Sequence, residues 1–176
     1  MSLFTVSTTG PQVVDVEQEN GSVVSFVQTT SGSCGWTTAE RVQATLCYES
    51  NGDWLFTRGG TEIFTFNPTG QLVSESDLNG YTTALAYNSS NQLTTVTDPA
   101  GRTISFTYNS SGLLAKVTDP AGLTTQYSYN SSGDLTQVTD VGGALPRTLT
   151  VLLTSSHRSP TRLATPQLSS TTRRGR

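Results

Sequence analysis

Hydrophobic and polar residues alternate along the middle of the chain in short runs separated by turn residues. In the run from Thr103 to Tyr108, Ile104 and Phe106 occupy alternate positions, and threonine or serine lies between them. A period of two residues is typical of a β-strand with one buried face, and threonine and aromatic residues favour strands. The pattern therefore predicts a β-sheet with an apolar face and a polar face.

This pattern returns every 21 residues between residues 66 and 143. Aromatic, leucine, aspartate and glycine positions recur in phase as four columns. Their members are Phe66, Tyr87, Tyr108 and Tyr129; Leu72, Leu93, Leu114 and Leu135; Asp77, Asp98, Asp119 and Asp140; Gly80, Gly101, Gly122 and Gly143. A fixed period of this length indicates a repeat architecture in which each unit stacks on the next. We therefore expect function to reside in the assembly of repeats rather than in one site.

Each repeat contains two turn sequences, so it predicts two strands. Asn-Ser-Ser-Gly, as at Asn109 to Gly112, and Asp-Pro-Ala-Gly, as at Asp98 to Gly101, combine a side chain that bonds its own backbone with a glycine free to adopt positive φ. The units are expected to be hairpins of one antiparallel meander. Leu93 and Val96, like Leu114 and Val117, stand three residues apart in the second strand of their hairpins, which predicts a bulge or a strong local twist.

Residues 1–65 predict a less regular series of hairpins that leads into the repeats. Asn20-Gly21 and Asn51-Gly52 precede strand-like runs, and Asn-Gly is a strong hairpin signal. The stretch from residue 37 to 46 fits a short capped helix, a loop or a further strand. Cys34 and Cys47 are too few for a zinc site, and they are either two free thiols or a disulfide that closes a hairpin.

Composition changes after residue 143. The 176-residue chain is 34% hydrophobic, enough for one domain with a lean core. Residues before 144 carry 13 acidic and four basic side chains, a formal charge of −9. Residues 144–176 have no acidic or aromatic residue and six arginines: Arg147, Arg158, Arg162, Arg173, Arg174 and Arg176. The 21-residue phase is lost there too, so we expect a disordered tail, and our hypothesis is that it is translated out of frame.

Candidate catalytic and metal-binding residues are scarce. His157 is the only histidine and lies in the tail, so we expect no enzyme activity, no catalytic residue, no cofactor and no metal site. Asp98, Asp119 and Asp140 begin turns, where capping of their own backbone is favoured over calcium binding. Four Asn-x-Ser sequences fit a glycosylation signal, but the turn interpretation is favoured: Asn20, Asn88, Asn109 and Asn130.

Two interpretations of the tyrosine column remain. Tyr87, Tyr108 and Tyr129 are expected to pack in the core of the assembly, and as an alternative they contact carbohydrate. Nucleic acid is not expected as a partner, although the tail arginines would attract polyanions. No signal peptide or apolar run of about 18 residues is visible in the sequence.

The repeats resemble the YD repeats of bacterial RHS proteins and of the animal teneurins. The resemblance rests on Tyr-Asn, then Gly-x-Leu, then Val-Thr-Asp-Pro-x-Gly, as in residues 108–122, and it covers residues 66–143. Asparagine follows the tyrosine where the family has aspartate. The family's core segment with self-cleaving aspartates, and a toxin, have no counterpart here.

The resemblance implies a spiral β-shell, of which this chain would be an open piece. In bacterial members the shell encloses a C-terminal toxin. The expected function is thus a non-catalytic structural segment of a shell that encloses or presents an effector, secreted or at the cell surface. Its expected partners are further repeats of the parent protein and an encapsulated toxin. The alternative is a carbohydrate-binding module at the cell surface.

Overall fold

A computed structural model describes residues 1–5, 12–39, 41–140 and 147–150. In these ranges the chain forms one sheet of 15 antiparallel strands whose order follows the chain, and it contains no helix. The strands are β1 (Ser2–Thr5), β2 (Val13–Glu17), β3 (Val23–Gln28), β4 (Trp36–Thr37), β5 (Ala44–Tyr48), β6 (Trp54–Arg58), β7 (Glu62–Phe66), β8 (Leu72–Asp77), β9 (Thr82–Tyr87), β10 (Leu93–Thr97), β11 (Thr103–Tyr108), β12 (Leu114–Thr118), β13 (Thr124–Tyr129), β14 (Leu135–Asp140) and β15 (Arg147–Thr150). The predicted all-β antiparallel meander is confirmed.

The hairpins predicted before the repeats are present. Asn20-Gly21 lies in the turn between β2 and β3, and Asn51-Gly52 in the turn between β5 and β6. The short helix considered for residues 37–46 is not formed, because Trp36 pairs with Leu46 between β4 and β5. One continuous sheet crosses residues 65 and 66, so the boundary between lead-in and repeats stays a prediction.

A β-bulge recurs at the same position of every repeat. Leu93 lies opposite Tyr87 but Thr95 lies opposite Ala86, so Thr94 is an extra residue in β10. The same shift leaves an extra residue in β8, β12 and β14: Val73, Ala115 and Thr136. In β10, β12 and β14 the bulge brings leucine and valine three residues apart onto one face, as the sequence predicted.

The first part of the sheet rolls up around a core. Phe26 on β3 and Phe56 on β6 are three strand spacings apart, about 14 Å in a flat sheet, yet their ring centroids lie 6.0 Å apart. The face that carries them is therefore strongly concave. It holds the buried apolar side chains of the described residues: Val14, Val16, Val24, Phe26, Trp36, Leu46, Phe56, Phe64 and Phe66. We call this part, β2 to β7, the roll.

Arg58 ties the two sides of the roll together. Its guanidinium donates to Glu19, in the turn between β2 and β3, at 2.9 Å and to Glu62 on β7 at 2.8 Å. It also lies 5.0 Å above the ring of Phe64. The pKa of the Glu19 carboxyl lies below its ordinary value. The main cause is a hydrogen bond from the backbone of Glu19 itself, and the hydrogen bond from Arg58 is the second.

The strip from β8 to β14 keeps two distinct faces. Strand register puts the apolar side chains together on the face that continues from the roll, and we call it the apolar face: Leu72, Leu85, Tyr87, Leu93, Val96, Ile104, Phe106, Tyr108, Leu114, Val117, Tyr127, Tyr129, Leu135 and Val138. The opposite, polar face carries mainly threonine and serine, including Thr95, Ser105, Thr107, Thr118 and Ser128. In β8 to β14 no side chain is fully buried.

The tail departs from its prediction at one place. Disorder was expected from residue 144, but Arg147–Thr150 form β15 and pair with Gln137 to Asp140 of β14. The sequence Thr-Leu-Thr suits a strand, and the edge of β14 offers free backbone groups to pair with. Residues 144–146 and 151–176, with His157 and the proposed out-of-frame segment, lie outside the described residues.

Candidate functional site

The tyrosine column forms a ladder that joins successive repeats. The hydroxyls of Tyr87, Tyr108 and Tyr129 each donate to a backbone carbonyl of the leucine column 15 residues earlier, at 2.8 Å: Leu72, Leu93 and Leu114 respectively. The three side chains are half-buried on the apolar face. Burial raises the pKa of the Tyr87 phenol. We call this arrangement the tyrosine ladder.

The hydrogen bonds of the tyrosine ladder limit how Tyr87, Tyr108 and Tyr129 could contact carbohydrate. The structure brings Tyr87, Tyr108 and Tyr129 onto one face, but it engages every hydroxyl within the sheet. A sugar would meet only the uncovered part of the rings, because the rings are partly covered by neighbouring residues. Carbohydrate contact at these tyrosines stays a prediction.

The two turn sequences of a repeat adopt one geometry. Oδ1 of Asp98 accepts the backbone N–H groups two and four residues later at 2.9 Å, and Oδ1 of Asn109 does the same at 3.0 and 2.9 Å. The other turns of the described repeats follow this pattern: Asn67, Asp77, Asn88, Asp119 and Asn130. The predicted backbone capping is confirmed at Asp98 and Asp119, whereas the turn after Asp140 lies outside the described residues.

Hydrogen bonds lower the pKa of two turn carboxyls. For Asp98 the main cause is the side chain of Arg102, and for Asp77 it is the side chain of Asn79. Backbone N–H groups add to the effect in both. Over the described ranges, no three histidine, cysteine, aspartate or glutamate side chains are grouped so as to hold a metal ion. The hydrogen bonds of Asp77 and Asp98 to backbone N–H groups hold their turns.

An aromatic cleft opens at one end of the roll. Trp36, Tyr48 and Trp54 line it together with Gln12, Gln28, Gly32, Gly52 and Pro68, and it encloses about 390 Å³. The rings of Trp36 and Trp54 lie 5.1 Å apart, and those of Tyr48 and Trp54 lie 4.7 Å apart. Tyr48 is 45% exposed. The lining has no charged side chain, so the cleft suits an uncharged ligand.

Cys34 and Cys47 form a disulfide beside this cleft. Cys47 precedes Tyr48 directly, and Cys34 lies two residues before Trp36. The bond therefore links the segment just before β4, which carries Trp36, to β5, which carries Tyr48. Sequence reasoning missed the cleft because its residues are distant in the chain, although both tryptophans of the protein lie in the lead-in.

Comparison with known families identifies the repeats. The family model described as RHS Repeat matches residues 66–103 and 108–145. These ranges contain the tyrosine ladder and the turns described above. The chain therefore contains RHS repeats in these two ranges. No curated protein matches the chain.

The turn geometry explains why asparagine can follow each tyrosine of these RHS repeats. YD repeats have aspartate there, whereas this chain has Asn88, Asn109 and Asn130. Each asparagine accepts the same two backbone N–H groups as the aspartates of the second turn. The exchange therefore preserves the turn geometry of the RHS repeat.

RHS repeats form a structural repeat family. The described ranges supply no helix that is long and apolar enough to cross a membrane. Within the described residues, the tyrosine column takes part in hydrogen bonds between repeats, and Asp77, Asp98 and Asp119 cap turns. The chain is thus a repeat scaffold in its general role.

Proposed function

We propose that this chain is a non-catalytic wall segment of a larger RHS shell that encloses or presents an effector. The observation that supports it best is the repetition of one structural step. Each repeat adds two strands, one bulge and two equivalent turns, and the tyrosine ladder bonds it to the repeat before. A sheet built this way extends without limit, and its two edges accept further repeats of the parent protein.

The geometry suits a wall because it is stiff and two-faced. Tyrosine hydroxyls lock neighbouring hairpins, and the turn side chains satisfy backbone N–H groups that would otherwise need water. Bulges increase the local twist of every repeat in the same sense, so a long strip curves.

The disulfide supports a location outside the reducing cytosol. Cys34 and Cys47 are bonded, and disulfides persist mainly in secreted and surface proteins. We place the protein in the extracellular space or at the cell surface, in accordance with the RHS family.

Duplication of one repeat tests the wall proposal. A copy of residues 88–108 inserted after Tyr108 keeps the phase of the columns, because Asn88 then follows Tyr108 as Asn109 normally does. We expect a folded protein with proportionally more β-signal in circular dichroism and a longer particle in small-angle scattering. Insertion of residues 88–102 at the same place is the out-of-phase control, and equal stability of both products would contradict the proposal.

Enclosure of an effector is tested on the parent protein. We expect the effector segment to resist trypsin while it is joined to the complete shell and to be cut when it is released. Equal cutting in both states would contradict enclosure and would leave the wall proposal standing.

Carbohydrate binding is the second candidate, and the aromatic cleft favours it. Aromatic faces stack on sugar rings, and the amides of Gln12 and Gln28 supply donors and acceptors for hydroxyls. A glycan array would compare wild type with Tyr48→Ala and with a triple alanine variant of Tyr87, Tyr108 and Tyr129. Tyr81→Ala, at a position 65% exposed and away from the cleft, is the control. If both variants bind glycans as wild type does, neither the aromatic cleft nor the tyrosine ladder is a carbohydrate site.

A further inference from the structure

The apolar face of the strip lacks a cover among the described residues. Ile104 is 38% exposed in the middle of this face, and its neighbour Phe106 is only half-buried. A sheet with one apolar face is stable in water when that face packs on a second layer. The strip from β8 to β14 therefore needs a partner surface.

The roll shows what kind of surface covers this face. Phe66, fully buried in the roll, lies opposite Leu72 at the start of the strip, so the apolar face continues from the core without a break. In the roll the face packs against itself, as the contact of Phe26 with Phe56 shows. The same surface chemistry on a second copy would cover the strip in the same way.

We propose that two copies of this chain associate through their apolar faces. β11 is the middle strand of the strip, so a two-fold axis at Ile104 and Phe106 would place β8 of one copy over β14 of the other. Two sheets that pack face to face lie about 10 Å apart with their strands inclined by about 30°. The contact is isologous, and it closes after two copies.

Charge on the face is confined to its two ends. The charged side chains that the register places on it, Glu75, Asp77 and Asp140, lie on β8 and β14 at the two ends of the strip. Lys116 points to the polar face, opposite Thr107. The centre of the contact is thus free of charge. The carboxylates of β8 and β14 meet as like charges only at its rim, where water screens their repulsion.

The area of the apolar face sets the expected affinity of the dimer. Seven strands and five residues of strand length give a face of roughly 29 by 17 Å, or about 500 Å² on each copy and about 1,000 Å² in all. Specific interfaces begin near this size. We therefore expect a reversible dimer in the micromolar range, not a permanent one. The inference goes beyond the wall proposal, which the duplication experiment tests separately.

Neighbouring residues of β11 provide matched variants. Ile104 and Ser105 lie on opposite faces of the same strand. Because Ile104 is already 38% exposed, Ile104→Glu removes little packing within its own chain. Ser105→Glu places the same charge on the polar face. Sedimentation velocity over a series of concentrations measures association of each variant, and circular dichroism checks that each is folded.

We expect wild type and Ser105→Glu to shift from monomer to dimer as concentration rises, and Ile104→Glu to stay monomeric with an unchanged β-signal. Monomeric wild type at high micromolar concentration, or equal dimerisation of Ile104→Glu, would overturn the inference. A wild type that dimerises only after truncation behind Thr150 would also overturn it, because the face would then be covered by residues 151–176.

Discussion

Asn91 is, among the described residues, the non-glycine with positive φ, at 61°. Glycine holds the equivalent turn position in neighbouring units, for example Gly112 with φ of 78° and Gly133 with φ of 85°. A side chain in this conformation costs about 1 kcal/mol, less for asparagine. Asn91→Gly should therefore stabilise the fold by a few tenths of a kcal/mol, or about 0.5 at most, measured by urea unfolding.

Gly101→Ala provides the opposite change for this prediction. Its φ is 79° and a Cβ would meet no atom within 4 Å, so the substitution introduces backbone strain alone. We expect a loss of about 1 kcal/mol. A stabilising alanine at Gly101 would show that the turn relaxes out of the left-handed conformation.

Tyr108→Phe tests the ladder at the level of one hydroxyl. The substitution removes the 2.8 Å bond to the carbonyl of Leu93 and keeps the ring. Because that carbonyl loses a donor on a half-buried face, we expect a loss of about 1 kcal/mol in the free energy of unfolding. Tyr81→Phe, at a side chain 65% exposed, should change stability much less. If both substitutions lower the free energy of unfolding by a similar amount, the tyrosine ladder does not stabilise the sheet.

At the scale of the strand, the bulges differ in one hydroxyl. Thr94 and Thr136 occupy the bulge of their repeats, and each donates to a carbonyl eight residues earlier at 3.1 Å. Ala115 occupies the same position in the repeat between them. Ala115→Thr should therefore add a bond to the carbonyl of Thr107 and stabilise by about 0.5 kcal/mol in thermal or urea unfolding. Ala115→Val is the control, because valine is β-branched like threonine but has no hydroxyl. An equal gain in stability from Ala115→Val and Ala115→Thr would contradict this explanation.

At the scale of the turn, Asp98 links stability to pH. Arg102 and backbone N–H groups lower the pKa of Asp98 in the folded state, whereas the unfolded value is about 4. The contribution of this carboxylate is complete above that value and is lost as pH falls through the lower folded pKa. Asp98→Asn keeps the acceptor, as Asn109 does in its own turn. The urea midpoint of the variant should fall less than that of wild type between neutral pH and about pH 3.

Local elements were predictable because their signals lie within a few residues of one another. The alternation in Thr103 to Tyr108 gave β11, and the spacing of Leu93 and Val96 gave the bulge. The roll was not predictable, since the contact between Phe26 and Phe56 joins strands whose curvature the alternation does not encode. The aromatic cleft was missed for the same reason. The sequence did not decide whether Cys34 and Cys47 are bonded, because two cysteines alone are compatible with free thiols and with a disulfide.

For the whole molecule, burial divides the sheet unequally. The fully buried apolar side chains of the described residues end at Phe66, and the strands beyond have one face open. A disulfide and the Arg58 ion pairs also lie before residue 66. The part that the sequence marked as irregular is therefore the best packed. The regular repeats depend on their neighbours, as units of a repeat protein do.

Hydrogen exchange of backbone amides should reveal this gradient. Opening a segment costs the burial and hydrogen bonds it loses, so strands with fully buried side chains open only with the whole protein. We expect the slowest exchange in β5 to β7 around Leu46, Phe56 and Phe64, and progressively faster exchange toward β13 and β14. Measurement in dilute protein, and again at high micromolar concentration, separates the gradient from association through the apolar face. Uniform protection from β2 to β14 in dilute protein would contradict the gradient. Half-buried strands would then open at the same free energy as fully buried ones, and the repeats would be as cooperative as the roll.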